Sequence, residues 1–163
     1  MFSINLGTED IIITTGGSEA ILIGFLVCLN PGDEVLVPEP FYANYISFAK
    51  AASASIKTIP TTIEEGFALP PISTFENYIT EKTKAIMICN PGNPTGKIYS
   101  RQELEQIKEI VKKHNLFLFA DEVYREFCYE QKTPLSVMQL EGIEENVILI
   151  DSISKRYSMC GSR

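Results

Sequence analysis

Four short stretches of this sequence hold side chains that could do chemistry. Asp151-Ser-Ile-Ser-Lys155-Arg156 places a lysine just after an apolar run, with Arg156 beside it and Arg163 eight residues further on. Desolvation and cationic neighbours at such a position activate an amine as a nucleophile or Schiff-base former. Asp121-Glu-Val-Tyr124 sets an acid and a phenol three residues apart after a second apolar run, where a carboxylate held out of water requires a cationic partner. Asn90-Pro-Gly-Asn93-Pro-Thr-Gly96 is a polar loop whose two prolines and two glycines fix the backbone, so that amide side chains can be aimed. Gly16-Gly17-Ser18-Glu19 precedes an apolar helical stretch. There the glycines permit a tight turn, Ser18 is a candidate cap, and the first-turn N–H groups form an anion cradle. Taken singly, each stretch is also compatible with an ordinary turn or a solvated side chain, and for the glycine turn alone that plainer reading is the better one.

The elements that must position these groups follow from periodicity. Six β-rich runs, Ile11–Thr15, Glu34–Val37, Ile56–Ile59, Ala85–Cys89, Leu116–Phe119 and Val147–Ile150, alternate with stretches of helical period. The pattern predicts an α/β fold, three layers α/β/α, with a largely parallel sheet and helices on both faces. Ser100-Arg-Gln-Glu103 is a capping box opening a helix whose Leu104, Ile107, Ile110 and Val111 share a face, and Ser73-Thr-Phe-Glu76 has the same signature. The apolar run Ala20–Leu29 reads as a buried helix whose residues are core, Gly66–Pro71 as a loop, and His114 as a surface residue at a helix end. No linker divides the chain, so residues 1–163 are expected to form one domain. Ligands of an open α/β sheet collect beyond the carboxyl ends of its strands, which is where all four stretches fall.

Composition narrows the classes of function. A formal charge of −7 disfavours nucleic acid, and the longest apolar run, ten residues, is too short to span a bilayer. With no secretory signal visible and Cys28, Cys89, Cys128 and Cys160 scattered without metal-ligand spacing, a cytoplasmic protein with reduced thiols is expected and no metal site. The loop is not a nucleotide P-loop: only three residues separate Gly92 from Gly96, and Ile98 follows Lys97 where a hydroxyl should bind magnesium. An anion cradle, an amide donor, an acid, a phenol and an activatable amine on one rim fit the phosphate, phenolic oxygen, ring nitrogen and aldehyde of pyridoxal phosphate.

With these motifs in order, the chain resembles the large domain of the class I/II aminotransferases, fold type I pyridoxal-phosphate enzymes of the aspartate and aromatic aminotransferase branch. The resemblance runs the whole chain and rests on Asn90–Gly96, Ala120-Asp-Glu-Val-Tyr124 and Ser152-Ile-Ser-Lys155 with Gly161-Ser-Arg163, supported by Pro31-Gly-Asp-Glu-Val35 and Pro38-Glu-Pro-Phe-Tyr42. It implies that Lys155 is the Schiff-base lysine and proton shuttle, and that Asp121 keeps the pyridine nitrogen protonated. It implies further that Asn93 and Tyr124 donate to the phenolic oxygen, and that Gly17, Ser18, Ser152 and Arg163 hold the phosphate. Tyr42 would stack on the ring, with Phe41 as the alternative if the register differs by one. By the same resemblance the parent enzyme takes an amino acid and a 2-oxo acid as substrates and acts as a homodimer, whether or not this piece dimerises. The chain is expected to be a piece of a longer enzyme, lacking an amino-terminal segment and a small domain that grips the substrate carboxylate, and alone inactive or weakly active.

Other readings share the residues. A carbon–sulfur lyase, a cyclopropane-carboxylate synthase, a decarboxylase or a non-catalytic cofactor-sensing regulator domain would keep the same cup. Ser152-x-x-Lys155 also satisfies the pattern of an acyl-enzyme hydrolase, though the companion Ser-Asp-Asn and Lys-Thr-Gly motifs are absent.

Overall fold

The structure, a computed structural model, describes residue 4 and residues 6–129 and 134–162. Arg163 lies outside the described residues. In chain order the elements are α1 (Gly17–Cys28), β1 (Glu34–Pro38), α2 (Asn44–Ala51), β2 (Ser55–Ile59), α3 (Ile72–Glu76), β3 (Thr83–Cys89), α4 (Arg101–His114), β4 (Phe117–Asp121), β5 (Val147–Ile150) and α5 (Ile153–Arg156). The five strands form one sheet in the order β2-β1-β3-β4-β5, every pairing parallel.

Strand parity divides the core in two. Leu36, Ile86, Ile88, Leu118 and Ala120 face one side, under Phe75 of α3 and Leu104, Ile107, Ile110 and Val111 of α4. Val35, Val37, Ala85, Met87 and Phe119 face the other, under Ile21 and Phe25 of α1 and Tyr45 and Ala49 of α2. With both faces covered, central strands lose the in/out alternation of hydrophobicity, as the sequence suggests. The chain passes from β1 outward to β2 and then back across to β3, so the connections diverge at the carboxyl ends of β1 and β3, where such sheets bind ligands.

Several local expectations are corrected. Ile11–Thr15 is not a strand: Ile11, Ile12 and Ile13 are 56%, 79% and 92% exposed and join no ladder. Isoleucine favours a pleated surface through its packing neighbours, and none is present here among the described residues. Ser73 does not cap α3, which begins at Ile72 after an extended Pro71. Thr74 and Phe75 donate to the Pro71 carbonyl, and the Glu76 carboxylate is drawn instead to Lys113 Nζ at 2.6 Å and His114 Nε2 at 3.4 Å. His114 is thus a half-buried partner of Glu76 at the end of α4, not a free surface residue. The capping box at Ser100 forms as expected, Ser100 N–H donating to Glu103 Oε2 at 2.7 Å and Glu103 N–H to Ser100 Oγ at 3.2 Å.

Helix α1 is core on one face only. Ile21 and Phe25 are buried, but Leu26 and Val27 are exposed, because the helix lies on the sheet with nothing described over its back. Its internal glycine has a packing reason: a Cβ at Gly24 would lie 2.7 Å from Phe119 Cε1, in a ring that is fully buried and held edge-on against Phe25 at 4.9 Å. Gly24→Ala gains about 1 kcal/mol of helix propensity but overpacks this contact at about 1–3 kcal/mol. Urea unfolding of Gly24→Ala should show a net loss of up to about 2 kcal/mol, a loss that disappears when the same substitution is measured against Phe119→Leu as its reference.

Candidate active site

The site begins at the last residue of β4. Asp121 has the parity of Phe119, so its side chain turns toward α2, where the Tyr45 hydroxyl donates to Oδ2 at 2.6 Å. The Val123 N–H donates to Oδ1 at 3.2 Å. The carboxyl is 5% exposed, and no lysine or arginine among the described residues pairs with it. Burial raises its pKa above the ordinary aspartate value, an effect the two hydrogen bonds oppose and the charge of Asp151 reinforces. The expected cationic partner is therefore not supplied by the described protein; a phenol stands in its place.

Cys89, the last residue of β3, is paired in register with Asp121. Burial, and then the neighbouring Asp121 charge, pushes its thiol up to about 12, and the thiol donates to the Pro91 carbonyl at 3.2 Å. Tyr45 is likewise raised, by burial first and Asp121 second. The loop that follows β3 is anchored by its first asparagine: Asn90 N–H donates to the Asp121 carbonyl at 2.9 Å, its Nδ2 to the Leu135 carbonyl at 3.3 Å, and its Oδ1 accepts from Tyr99 N–H at 3.0 Å. With Asn90 engaged at both ends, Asn93 is the amide left to line the narrow cavity between the ends of β1 and β3, with Phe41, Tyr45 and Cys89. The Phe41 ring is parallel to that of Tyr45 at 6.2 Å, and the Tyr42 ring stands edge-on to it at 5.5 Å. The Tyr42 hydroxyl accepts from Asn44 Nδ2 at 2.7 Å.

Beyond β5, Ser152 is extended and caps α5, its Oγ accepting from Ser154 N–H at 3.2 Å. The exposed Lys155 places Nζ 5.8 Å from the centre of the Tyr124 ring. A side-chain carbon at Gly17 would sit 3.5 Å from Val123 Cγ1, 3.6 Å from Ile150 Cγ2 and 4.0 Å from Ser152 Cβ. The start of α1 is thus seated against the ends of β4 and β5. Gly16 has φ 146°, ψ 170°, a conformation open to glycine and costly for other residues. It leaves the Gly17 and Ser18 N–H groups in the first turn, where they have no intrahelical acceptor.

Two site expectations change, and a third lies outside the described residues. Ser18 lies inside the first turn and does not cap α1; the cap position is Gly16, and Glu19 Oε2 accepts from Thr15 N–H at 2.6 Å. Arg156 is not a free cation beside Lys155, because Asp151 and Glu126 pair with it. Arg163 cannot be placed, being outside the described residues. Gly17, Ser152, Tyr124 and Lys155 gather at the ends of β4 and β5, Asp121 connects them through Val123, and on the other side Tyr42 meets Tyr45 while Asn93 lines the same cavity as Tyr45. Sequence reasoning missed Tyr45 and Cys89: the first is spaced from Phe41 like any helical core residue, and the second ends a strand like any small apolar one.

This set fits pyridoxal phosphate. A buried carboxyl with no cation of its own suits a protonated ring nitrogen, first-turn N–H groups and Ser152 suit a phosphate, and a lysine amine stands close to a phenol. The raised pKa of Asp121 also makes a sign-specific prediction. Stability lost to an ionised buried carboxyl is absent below the unfolded-state value and appears as pH rises through the higher folded-state value. Asparagine keeps both hydrogen bonds, with the Tyr45 hydroxyl turned to accept. Without cofactor, Asp121→Asn should therefore match the unsubstituted protein in thermal midpoint at acidic pH and exceed it at neutral pH, in a melting series over that range.

The chain matches the family model for aminotransferase class I and II over residues 2–163. It is 36% identical over 156 residues to a bifunctional aspartate aminotransferase and glutamate/aspartate-prephenate aminotransferase of Petunia hybrida, covering 95% of this chain and 32% of that protein. It is 34% identical over 155 residues to an aspartate aminotransferase of Pyrococcus abyssi, covering 95% and 40%. Its structure is similar to that of a single mutant of Thermus thermophilus aspartate aminotransferase, with TM-score 0.90 and 31% identity over 97% of this chain and 40% of the other. The chain thus spans two fifths or less of the length of these relatives. Sheet order, strand-end chemistry and these likenesses agree, and the chain belongs to the class I and II aminotransferases.

Proposed function

We propose that the protein is a pyridoxal-phosphate-dependent aminotransferase of the aspartate/aromatic type, moving an amino group between an amino acid and a 2-oxo acid. The observation that carries this reading is Asp121, a buried acid whose hydrogen-bond partners among the described residues are Tyr45 and a backbone N–H, beside a strand end bearing Lys155. Pyridoxal phosphate supplies an aldehyde that captures amines and a ring that withdraws electrons from the carbon bearing the amine. Asp121 holds the ring nitrogen's proton, an ion pair that relieves its own unfavourable burial. With the cofactor bound, Lys155 is the amine that would hold its aldehyde and that would carry the proton at the substrate α-carbon. Tyr124 and Asn93 donate to the ring's phenolic oxygen, and Tyr42 covers the ring face. Gly17, Ser18 and Ser152 would hold the phosphate, together with Arg163, which lies outside the described residues.

Purified protein mixed with pyridoxal phosphate should develop a yellow band that borohydride bleaches, leaving the label on the peptide containing Lys155. Lys155→Ala should abolish the band, and with it any 2-oxo acid formation from a panel of amino donors. Label on a different lysine, or a band that survives Lys155→Ala, would overturn the assignment.

A further inference from the structure

A cluster of charged side chains outside the cofactor-holding set joins the strand ends that carry Tyr124 and Lys155. Glu122 is 1% exposed, and its Oε1 accepts from Val137 N–H at 2.9 Å while Oε2 lies 3.4 Å from Arg125 Nη1. Arg125 Nη2 reaches Asp151 Oδ2 at 3.0 Å. Arg156 Nη2 meets both oxygens of the same carboxylate, at 3.0 and 2.7 Å, and its Nε lies 3.3 Å from Glu126 Oε1. Asp151 Oδ1 also accepts from Ser152 N–H at 2.7 Å, at the cap of α5. The side chains of Arg125 and Arg156 are only 13% and 20% exposed, so these pairs are screened less than surface ones.

The arrangement zips two dipeptides together. Tyr124-Arg125 leaves β4 and Lys155-Arg156 lies on α5; the two arginines share Asp151, Arg156 also pairs with Glu126, and Tyr124 and Lys155 face each other at 5.8 Å. Helix α5 has four residues, far fewer than the roughly 12 a helix needs to persist unaided, so its shape must come from tertiary bonds. A guanidinium can bridge two carboxylates in a fixed fork, which an ammonium cannot do.

We propose that Arg156 is a positioning residue for Lys155: bridging Asp151 and Glu126, it holds the α5 turn so that the lysine amine stays against Tyr124. The proposal rests on the reading of Lys155 as the amine that tethers pyridoxal phosphate. Two measurements test it on the purified protein, with Arg156→Met, Arg156→Lys, Asp151→Asn and the double variant Arg156→Met/Asp151→Asn. The first needs no cofactor: competitive acetylation by acetic anhydride across a pH series, read by peptide mass, with exposed Lys82 as the internal reference. The ratio of Lys155 to Lys82 acetylation, and its pH profile, should change in every variant as the amine leaves its place against Tyr124. Arg156→Lys should fail to restore it, and the double variant should be no worse than either single, the mark of one shared interaction. The second measurement is borohydride trapping of pyridoxal phosphate, whose capture rate at Lys155 should fall by up to about 100-fold. Unchanged acetylation and capture in folded Arg156→Met, full rescue by Arg156→Lys, or additive effects in the double variant would overturn the proposal. If pyridoxal phosphate fails to label Lys155 even in the unsubstituted protein, the cofactor reading falls, and the acetylation series still decides whether Arg156 positions the amine.

Discussion

A carboxyl group sealed from water, with no cation beside it among the described residues, is the constraint on which this site depends. Asp121 is held by Tyr45 and by the Val123 N–H, bonds that lower its pKa yet are outweighed by burial. An acid so placed is a standing cost to the folded chain. The cost becomes useful when a ligand brings the missing positive charge, because the same low polarity that disfavours a lone carboxylate strengthens the pair. Tyr45 and Cys89 share the enclosure and both keep their protons, so the pocket holds one potential anion and not three.

The neighbouring strand end solves the opposite problem. Around Asp151, arginines and acids pair by charge, although the buried Arg156 Nε has no hydrogen-bond partner among the described residues. An unpaired acid that awaits a partner and a paired lattice that holds a lysine sit on adjacent strands, β4 and β5. They are separated because parity sends Asp121 toward α2 while Glu122, one residue on, engages the Ser136–Val137 turn on the opposite side of the sheet.

Much of this was legible in the chain itself. Five of the six predicted strands form within two residues of their expected limits, since buried parallel strands announce themselves as short, continuously apolar runs. The Ser100 capping box is a local pattern and formed locally. The Ser73 box has the same letters and did not, because Glu76 found stronger partners in Lys113 and His114 of α4. Ile11–Thr15 has the composition of a strand but no ladder to join, and strand structure resides in the pairing and not in the run.

Residue types and their order determined which groups could act: a lysine, an acid, a phenol, an amide loop and a glycine turn, each just past an apolar run. Side-chain period and helix signals are encoded within a few residues, so they survive reading in one dimension. Which partner each group meets was decided only by the tertiary structure. Tyr45 is 76 positions from Asp121 along the chain, and Arg125 is 26 from Asp151. No local pattern specifies such pairs, because they depend on the order in which strands are laid side by side and on the register between them.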